Sequence, residues 1–135
     1  MLSIVKTVSL IGLNGYIIYV QVDVSAGMPA WEVVGLPGTS VRESKERVKT
    51  AIKNSGYEVF SRKVVVNLAP ANIKKDGSFL DLPIAVGILS SMQNIKKINL
   101  EDIGFIGELS LDGRINGVKE VLAKCMEAKK LNLKT

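Results

Sequence analysis

Between Leu82 and Leu89 every residue is apolar. Read as a helix from Leu82 to about Met92, with Pro83 tolerated in its first turn and Asp81 as its cap, this segment has no side to give to water. It has to be the central, buried helix, and the rest of the chain must supply the layers that cover it. The chain has the material for that. It is 135 residues long, 47% hydrophobic and 23% charged, one domain's worth, and a chain of this size buries roughly two thirds of its unfolded surface.

The covering elements are legible in order. Ser3 to Leu13 and Tyr16 to Ser25 are rich in Val, Ile and Tyr and flank Asn14-Gly15, the residue pair that a two-residue hairpin turn favours. Val20, Val22 and Val24 alternate with Gln21, Asp23 and Ser25, which predicts one buried and one wet face. A third strand is expected at about Ala30 to Val34. Ser40-Val41-Arg42-Glu43 reads as a capping box opening a helix to about Ser55, with Gly56 as the left-handed exit. Its narrow packing stripe is Val41, Val48, Ala51, Ile52 and Ser55. Lys63 to Leu68 predicts a short strand covered on both faces, and the ten residues from Ala69 to Ser78 a loop. Ile103 to Leu111 and Arg114 to Gly117 read as a second hairpin around Asp112-Gly113. The last helix places Val118, Val121, Leu122, Cys125 and Met126 inside, with Lys119, Glu120, Lys124, Glu127 and Lys129 outside. Leu131-Asn132-Leu133-Lys134-Thr135 resembles the approach to a further strand, so a longer parent protein is expected.

Composition removes several kinds of chemistry. The chain has no histidine and a single cysteine, Cys125. A histidine-based triad, a Cys–His nucleophile, a zinc site and an internal disulfide are excluded within it. No apolar run approaches the ~20 residues of a membrane span, and the N-terminus lacks the pattern of a signal peptide. Neither a membrane partner nor export is expected, and the lone thiol suits the cytoplasm.

Three motifs merit weighing. Gly35-Leu36-Pro37-Gly38-Thr39-Ser40 lies at a strand-to-helix junction but lacks the lysine and the glycine spacing of a phosphate loop, so a turn plus helix cap is preferred. A serine nucleophile with a lysine base is the covalent mechanism still permitted. Ser78 reads instead as a turn residue and Lys119 as a solvated one. Basic residues come in doublets, Arg62-Lys63, Lys74-Lys75, Lys96-Lys97 and Lys129-Lys130, beside a helix face carrying Arg42, Lys45, Arg47, Lys49 and Lys53. With a net charge of +5 and seven aromatic residues, any nucleic-acid binding should be salt-sensitive and blind to sequence.

Several blocks carry a family resemblance. Val33-Val34-Gly35-Leu36-Pro37, Val41-Arg42-Glu43-Ser44-Lys45-Glu46-Arg47, Val66-Asn67-Leu68-Ala69-Pro70-Ala71, Lys75-Asp76-Gly77-Ser78 and Gly107-Glu108-Leu109-Ser110-Leu111-Asp112-Gly113 resemble the N-terminal domain of ComM/YifB-type magnesium-chelatase-like AAA+ ATPases. So does the apolar helix itself. One departure is Gly38, where the family leads one to expect an acidic residue after the proline.

The resemblance implies an α/β (α+β) fold of the Lon-protease-like, ribosomal-protein domain-2 type, a mixed sheet with about three helices packed on one side. Residues 1–135 would form a single domain, with the AAA+ module lying outside this chain. A Lon-type protease has its nucleophilic serine second after Lys-Asp-Gly, which here falls on Phe79. Carried without gaps from Gly107-Glu108-Leu109, the lysine-base position falls on Leu122. Two apolar side chains can neither attack a carbonyl nor hold a proton, so no catalytic residue, cofactor site or metal site is expected in this chain.

The resemblance further implies a non-catalytic docking or regulatory domain. Its partners would be its own C-terminal AAA+ module, copies of itself in a homo-oligomeric ring (a hexamer), and DNA. ATP and Mg2+ would belong to the AAA+ module, and the parent would be a DNA motor in recombination and competence. Arg42, Lys45, Arg47, Lys49, Lys53, Lys74 and Lys75 are the candidate contacts. The alternatives are a purely structural ring-assembly module without DNA contact and an active Ser–Lys peptidase.

Overall fold

The computed structural model describes residues 1–59, 62–93, 95 and 99–134. Four strands form a mixed sheet in the order β1-β2-β4-β3: β1 (Leu2–Ile11), β2 (Asn14–Ala26), β3 (Ala30–Val34) and β4 (Arg62–Ala69). β1 with β2 and β2 with β4 are antiparallel, whereas β3 and β4 are parallel. That parallel pair requires a crossover, supplied by the short helix α1 (Thr39–Arg42) and α2 (Ser44–Asn54). The apolar helix is α3 (Asp81–Ser91), entered through a 3-10 turn at Ser78–Leu80. A small hairpin, β5 (Glu108–Leu109) and β6 (Ile115–Asn116), precedes α4 (Val121–Lys130).

The expected alternation in β2 holds, with Val20, Val22 and Val24 buried. One row across the sheet runs Ser3, Val22, Val66, Val33, and α3 lies over it. Gly87 makes the close approach possible: a Cβ there would stand 2.5 Å from Val22 Cγ2. Its carbonyl accepts a hydrogen bond from Ser3 Oγ at 2.6 Å. Val41, Val48, Ala51 and Ile52 complete this core from the crossover, while Ser55 is exposed and bonds back to the Ala51 carbonyl. β4 is buried on one face and half-buried on the other.

The first hairpin does not turn at Asn14-Gly15. Ile11 pairs with Asn14, so the two-residue loop is Gly12-Leu13, with φ +61° at Gly12. Glycine at the first loop position fits a type II′ turn. Gly15 is needed for another reason: a Cβ there would lie 2.3 Å from the Cβ of Glu127 on α4. The shift moves each partner by four residues, an even number, so the buried face is unchanged.

Two further expectations are corrected. The capping box at Ser40 does not form; the N-cap of α1 is Gly38, and α1 and α2 break at Glu43. The second hairpin has strands of two residues joined by a loop over Leu111, Asp112 and Gly113, closed by Gly113 N–H to Ser110 O at 2.9 Å. The helix exit at Gly56 is as predicted, at φ +97°.

α4 is rotated from the face its periodicity predicts: Val118 packs on the core and Lys119, Glu120 and Lys129 are exposed as expected, but the rest of the stripe is displaced. Lys124 and Ala128 are buried, while Leu122 is 76% exposed and Val121 and Met126 also face solvent. The cause is what α4 packs on. Ala128 and Leu133 close over Val8 and Ile17, a cross-strand pair on the other pleat of the hairpin, away from α3. Beyond α4, Lys134 bridges Ile103 in parallel, and Gly104 in turn bridges Lys6 on β1.

Candidate functional site

Two regions collect the residues of interest. The first is the junction where α1, α2, α3 and β5 meet. Arg47 donates from Nε to Asp81 Oδ2 at 2.7 Å, and from Nη2 to Asp81 Oδ1 at 3.1 Å and to Ser40 O at 3.0 Å. Asp81 is fully buried and also accepts the Leu109 amide at 3.1 Å. It is therefore not a side-chain cap of α3 but the anchor of three elements. Hydrogen bonding to Asp81 raises the Arg47 pKa. Burial pushes the Asp81 carboxyl up, opposed by the guanidinium and the Leu109 amide.

The N-terminus of α1 is served from across the loop. Asp76 Oδ1 accepts the Ser40 amide at 3.2 Å and the Ser40 hydroxyl, and Ser40 Oγ accepts the Gly77 amide at 2.6 Å. The Ser40 hydroxyl holds the Asp76 carboxyl below its usual pKa. A Cβ at Gly38 would lie 2.3 Å from Asp76 Cγ, so in this chain the acid at the helix start arrives from residue 76 instead of residue 38. A carboxylate there also keeps phosphate away, in keeping with the rejection of a phosphate loop.

Beside this junction opens a cavity of about 510 Å3, lined by Ser78, Phe79, Glu108, Lys119 and Lys124 among others. Ser78 Oγ donates to Glu108 Oε2 at 2.5 Å, which lowers the Glu108 pKa. Phe79 is 4% exposed and carries the ammonium of Lys124 over its ring, 3.3 Å from the centroid. Leu122, where the lysine-base position was expected, points away into solvent; the side chain that meets Phe79 is Lys124. Periodicity alone placed Lys124 outside, and nothing in the spacing could have shown otherwise.

The second region is the basic face. Arg47 is committed to Asp81. Lys75 is 1% exposed, its amine donating to Gly35 O at 3.0 Å and to Pro70 O, and burial lowers its pKa. Both therefore leave the set of solvent-facing candidates. Lys45, Lys49 and Lys53 stand four residues apart, one ridge along α2. Lys49 lies over Trp31 of the edge strand β3, 5.8 Å from the ring centroid. Arg42 and Lys45 line a groove of about 490 Å3 with Trp31, Glu32 and Val34. Lys74 is exposed on the loop whose next residue pairs with Pro37, just before α1. Of the doublets, Arg62-Lys63 and Lys129-Lys130 are exposed, and Lys96-Lys97 lies outside the described residues.

Among the described residues no group of three or more potential metal ligands occurs, and no helix is long and apolar enough to cross a membrane.

A four-stranded mixed sheet and a buried helix after Lys75-Asp76-Gly77 define a Lon-protease-like domain. A Lon protease of Mycolicibacterium smegmatis is 25% identical over 92% of this chain and 16% of its own. Residues 20–135 match the family model described as subunit ChlI of Mg-chelatase, and the chain belongs to that family. YifB, an uncharacterized protein of Salmonella typhimurium, is 42% identical over 94% of this chain, and the competence protein ComM of Haemophilus influenzae 35% identical over 96%. The chain spans a quarter, 25%, of the length of each of these two relatives.

Proposed function

We propose that this domain is a non-catalytic DNA-docking arm of a magnesium-chelatase-like AAA+ ATPase. The observation that carries the reading is the ridge of Lys45, Lys49 and Lys53 on α2, continued by Arg42 and Lys74 and bordered by Trp31. Phosphates can exchange counterions with such a ridge. The cytoplasmic parent is a ring, a hexamer, whose C-terminal module holds ATP and Mg2+ and drives movement along DNA. The name of the ComM relative ties that work to competence. Phe79 in the nucleophile's place speaks against the peptidase alternative.

The test is fluorescence anisotropy of labelled single-stranded and forked DNA, titrated with this domain between about 50 and 200 mM salt. Charge reversal at Arg42, Lys45 and Lys53 should weaken binding to every sequence alike. Each contact removed should lower the salt slope by about one. Arg47 and Lys75 are unsuitable for this test because their loss would unfold the junctions they hold. Absence of binding at low salt would leave the structural ring-assembly reading in its place.

A further inference from the structure

The two edges of the sheet are treated differently. At the β1 edge the chain covers its own strand: Lys6 bridges Gly104, and Phe105 N–H donates to Lys6 O at 3.0 Å. At the other edge β3 is bonded to β4 alone. Among the described residues no segment pairs with its outer side, so one row of N–H and C=O groups along Ala30–Val34 stays open. Folded proteins commonly blunt such an edge with lysine, proline or a bulge. The run Ala-Trp-Glu-Val-Val holds neither lysine nor proline, and its one charge is Glu32. Its register with β4 is unbroken from Ala30↔Lys63 to Val34↔Asn67, so there is no bulge.

The groove of about 490 Å3 follows this edge. Four consecutive residues of β3, Trp31, Glu32, Val33 and Val34, line it together with Arg42 and Lys45. Successive strand residues face opposite sides of a sheet, so a groove that touches all four lies against the rim of the strand and not on either face. Its charge is lopsided. Arg42 and Lys45, with Lys49 over the Trp31 ring, stand against Glu32 alone. The buried indole N–H of Trp31 has no acceptor among the described residues, an unmet donor on a residue of the groove. On the opposite side of the strand Val34 is 49% exposed.

We infer that β3 receives an extended acidic segment of a partner protein as a fifth strand of the sheet. Its carboxylates would alternate along the side of Arg42 and Lys45, and its apolar residues along the side of Val34. Main-chain bonds to the open edge supply affinity, and the alternation of acidic with apolar side chains supplies specificity. A basic wall favours an acidic strand and repels a basic one. The inference stands apart from the DNA reading, although Arg42 and Lys45 would serve both partners: a nucleic acid has no row of alternating donors and acceptors with which to complete a strand ladder.

Trp31 is the chain's single tryptophan and reports on the groove directly. The test follows its fluorescence, and the 15N NMR spectrum of the 135-residue chain, during titration with an acetylated, amidated heptapeptide alternating glutamate with valine. The peptide should change Trp31 emission in a saturable way, shift amides 30–34, and slow hydrogen exchange of the β3 amides turned away from β4. Lysine in place of glutamate should weaken binding about tenfold. N-methylation of alternate peptide amides should abolish binding in one phase and spare it in the other, because an added strand bonds through one edge only. Arg42→Glu and Lys45→Glu should each weaken binding about threefold to tenfold; Arg42 is exposed, so its variant gives a reading even if the other does not fold. No saturable change up to about 1 mM peptide, equal binding of the lysine peptide, equal behaviour of the two methylated peptides, or undiminished binding in the folded variants would overturn the inference. So would protection of the same amides by an oligothymidylate, which assigns the edge to nucleic acid, or by rising chain concentration alone, which assigns it to a second copy.

Discussion

The guanidinium of Arg47 grips the fully buried carboxylate of Asp81 at 2.7 and 3.1 Å, joining the crossover helix to the start of the central one. Removing one member leaves the other's charge without compensation. Arg47→Met should lower stability by about 3–5 kcal/mol, read as a fall in the urea midpoint. Asp81→Asn keeps the shape and should also destabilise, because the guanidinium loses its counter-charge. A midpoint unchanged in both would mean the pair contributes nothing net.

Phe79 and Leu122, the two positions on which the resemblance places the Lon dyad, should behave oppositely. Phe79 is 4% exposed and Leu122 76%. Phe79→Ala opens a cavity and should cost about 3–5 kcal/mol, whereas Leu122→Ala should stay within about 0.5 kcal/mol of the native chain. Thermal denaturation of the two variants side by side checks the placement of α4.

Gly87 sits where α3 touches the sheet. With Val22 Cγ2 2.5 Å from a modest added Cβ, Gly87→Ala should cost about 1–3 kcal/mol through overpacking, despite alanine's better helix propensity. A neutral or stabilising outcome would show that α3 can slide off Val22 freely.

Burial lowers the Lys124 pKa below the 10.5 at which an ordinary lysine titrates. Between the folded and unfolded pKa values the unfolded chain binds more protons, so stability rises with pH through that window. Below the window the charged amine is a fixed burden on the fold. Relative to Lys124→Met, the native chain should gain stability as the pH rises toward 10.5, and the variant should be at least as stable near pH 7. Lys75 shifts in the same direction but is present in both proteins and cancels. Parallel curves across that range would mean Lys124 titrates as a solvated lysine.

Much of the architecture was written locally. β3 spans the predicted Ala30 to Val34, the apolar run is the buried helix, and Gly56 ends α2. Each follows from composition and period over a few residues: β-branched alternation, absence of any polar face, a left-handed exit. The basic ridge on α2 was also visible, because i, i+4 spacing is a property of the helix alone. Arg47 and Lys75 could not be separated from it by spacing, since what distinguishes them is a carboxylate 34 residues away and two backbone carbonyls, one on the turn after β3 and one in the loop of Lys75 itself.

What the chain settled by itself was therefore the kind and order of its elements. Which side an element turns inward was settled by what it meets. Asn14-Gly15 carries the composition of a turn, yet Gly15 serves the approach of α4, and Gly12 makes the turn. The apolar stripe of α4 faces water because the surface it packs on, Val8 with Ile17, accepts small Ala128 and the long reach of Lys124 toward Phe79. Periodicity measures how a helix could amortise its apolar side; only the shape of the partner surface selects the side that is buried, because burial free energy depends on contact actually made.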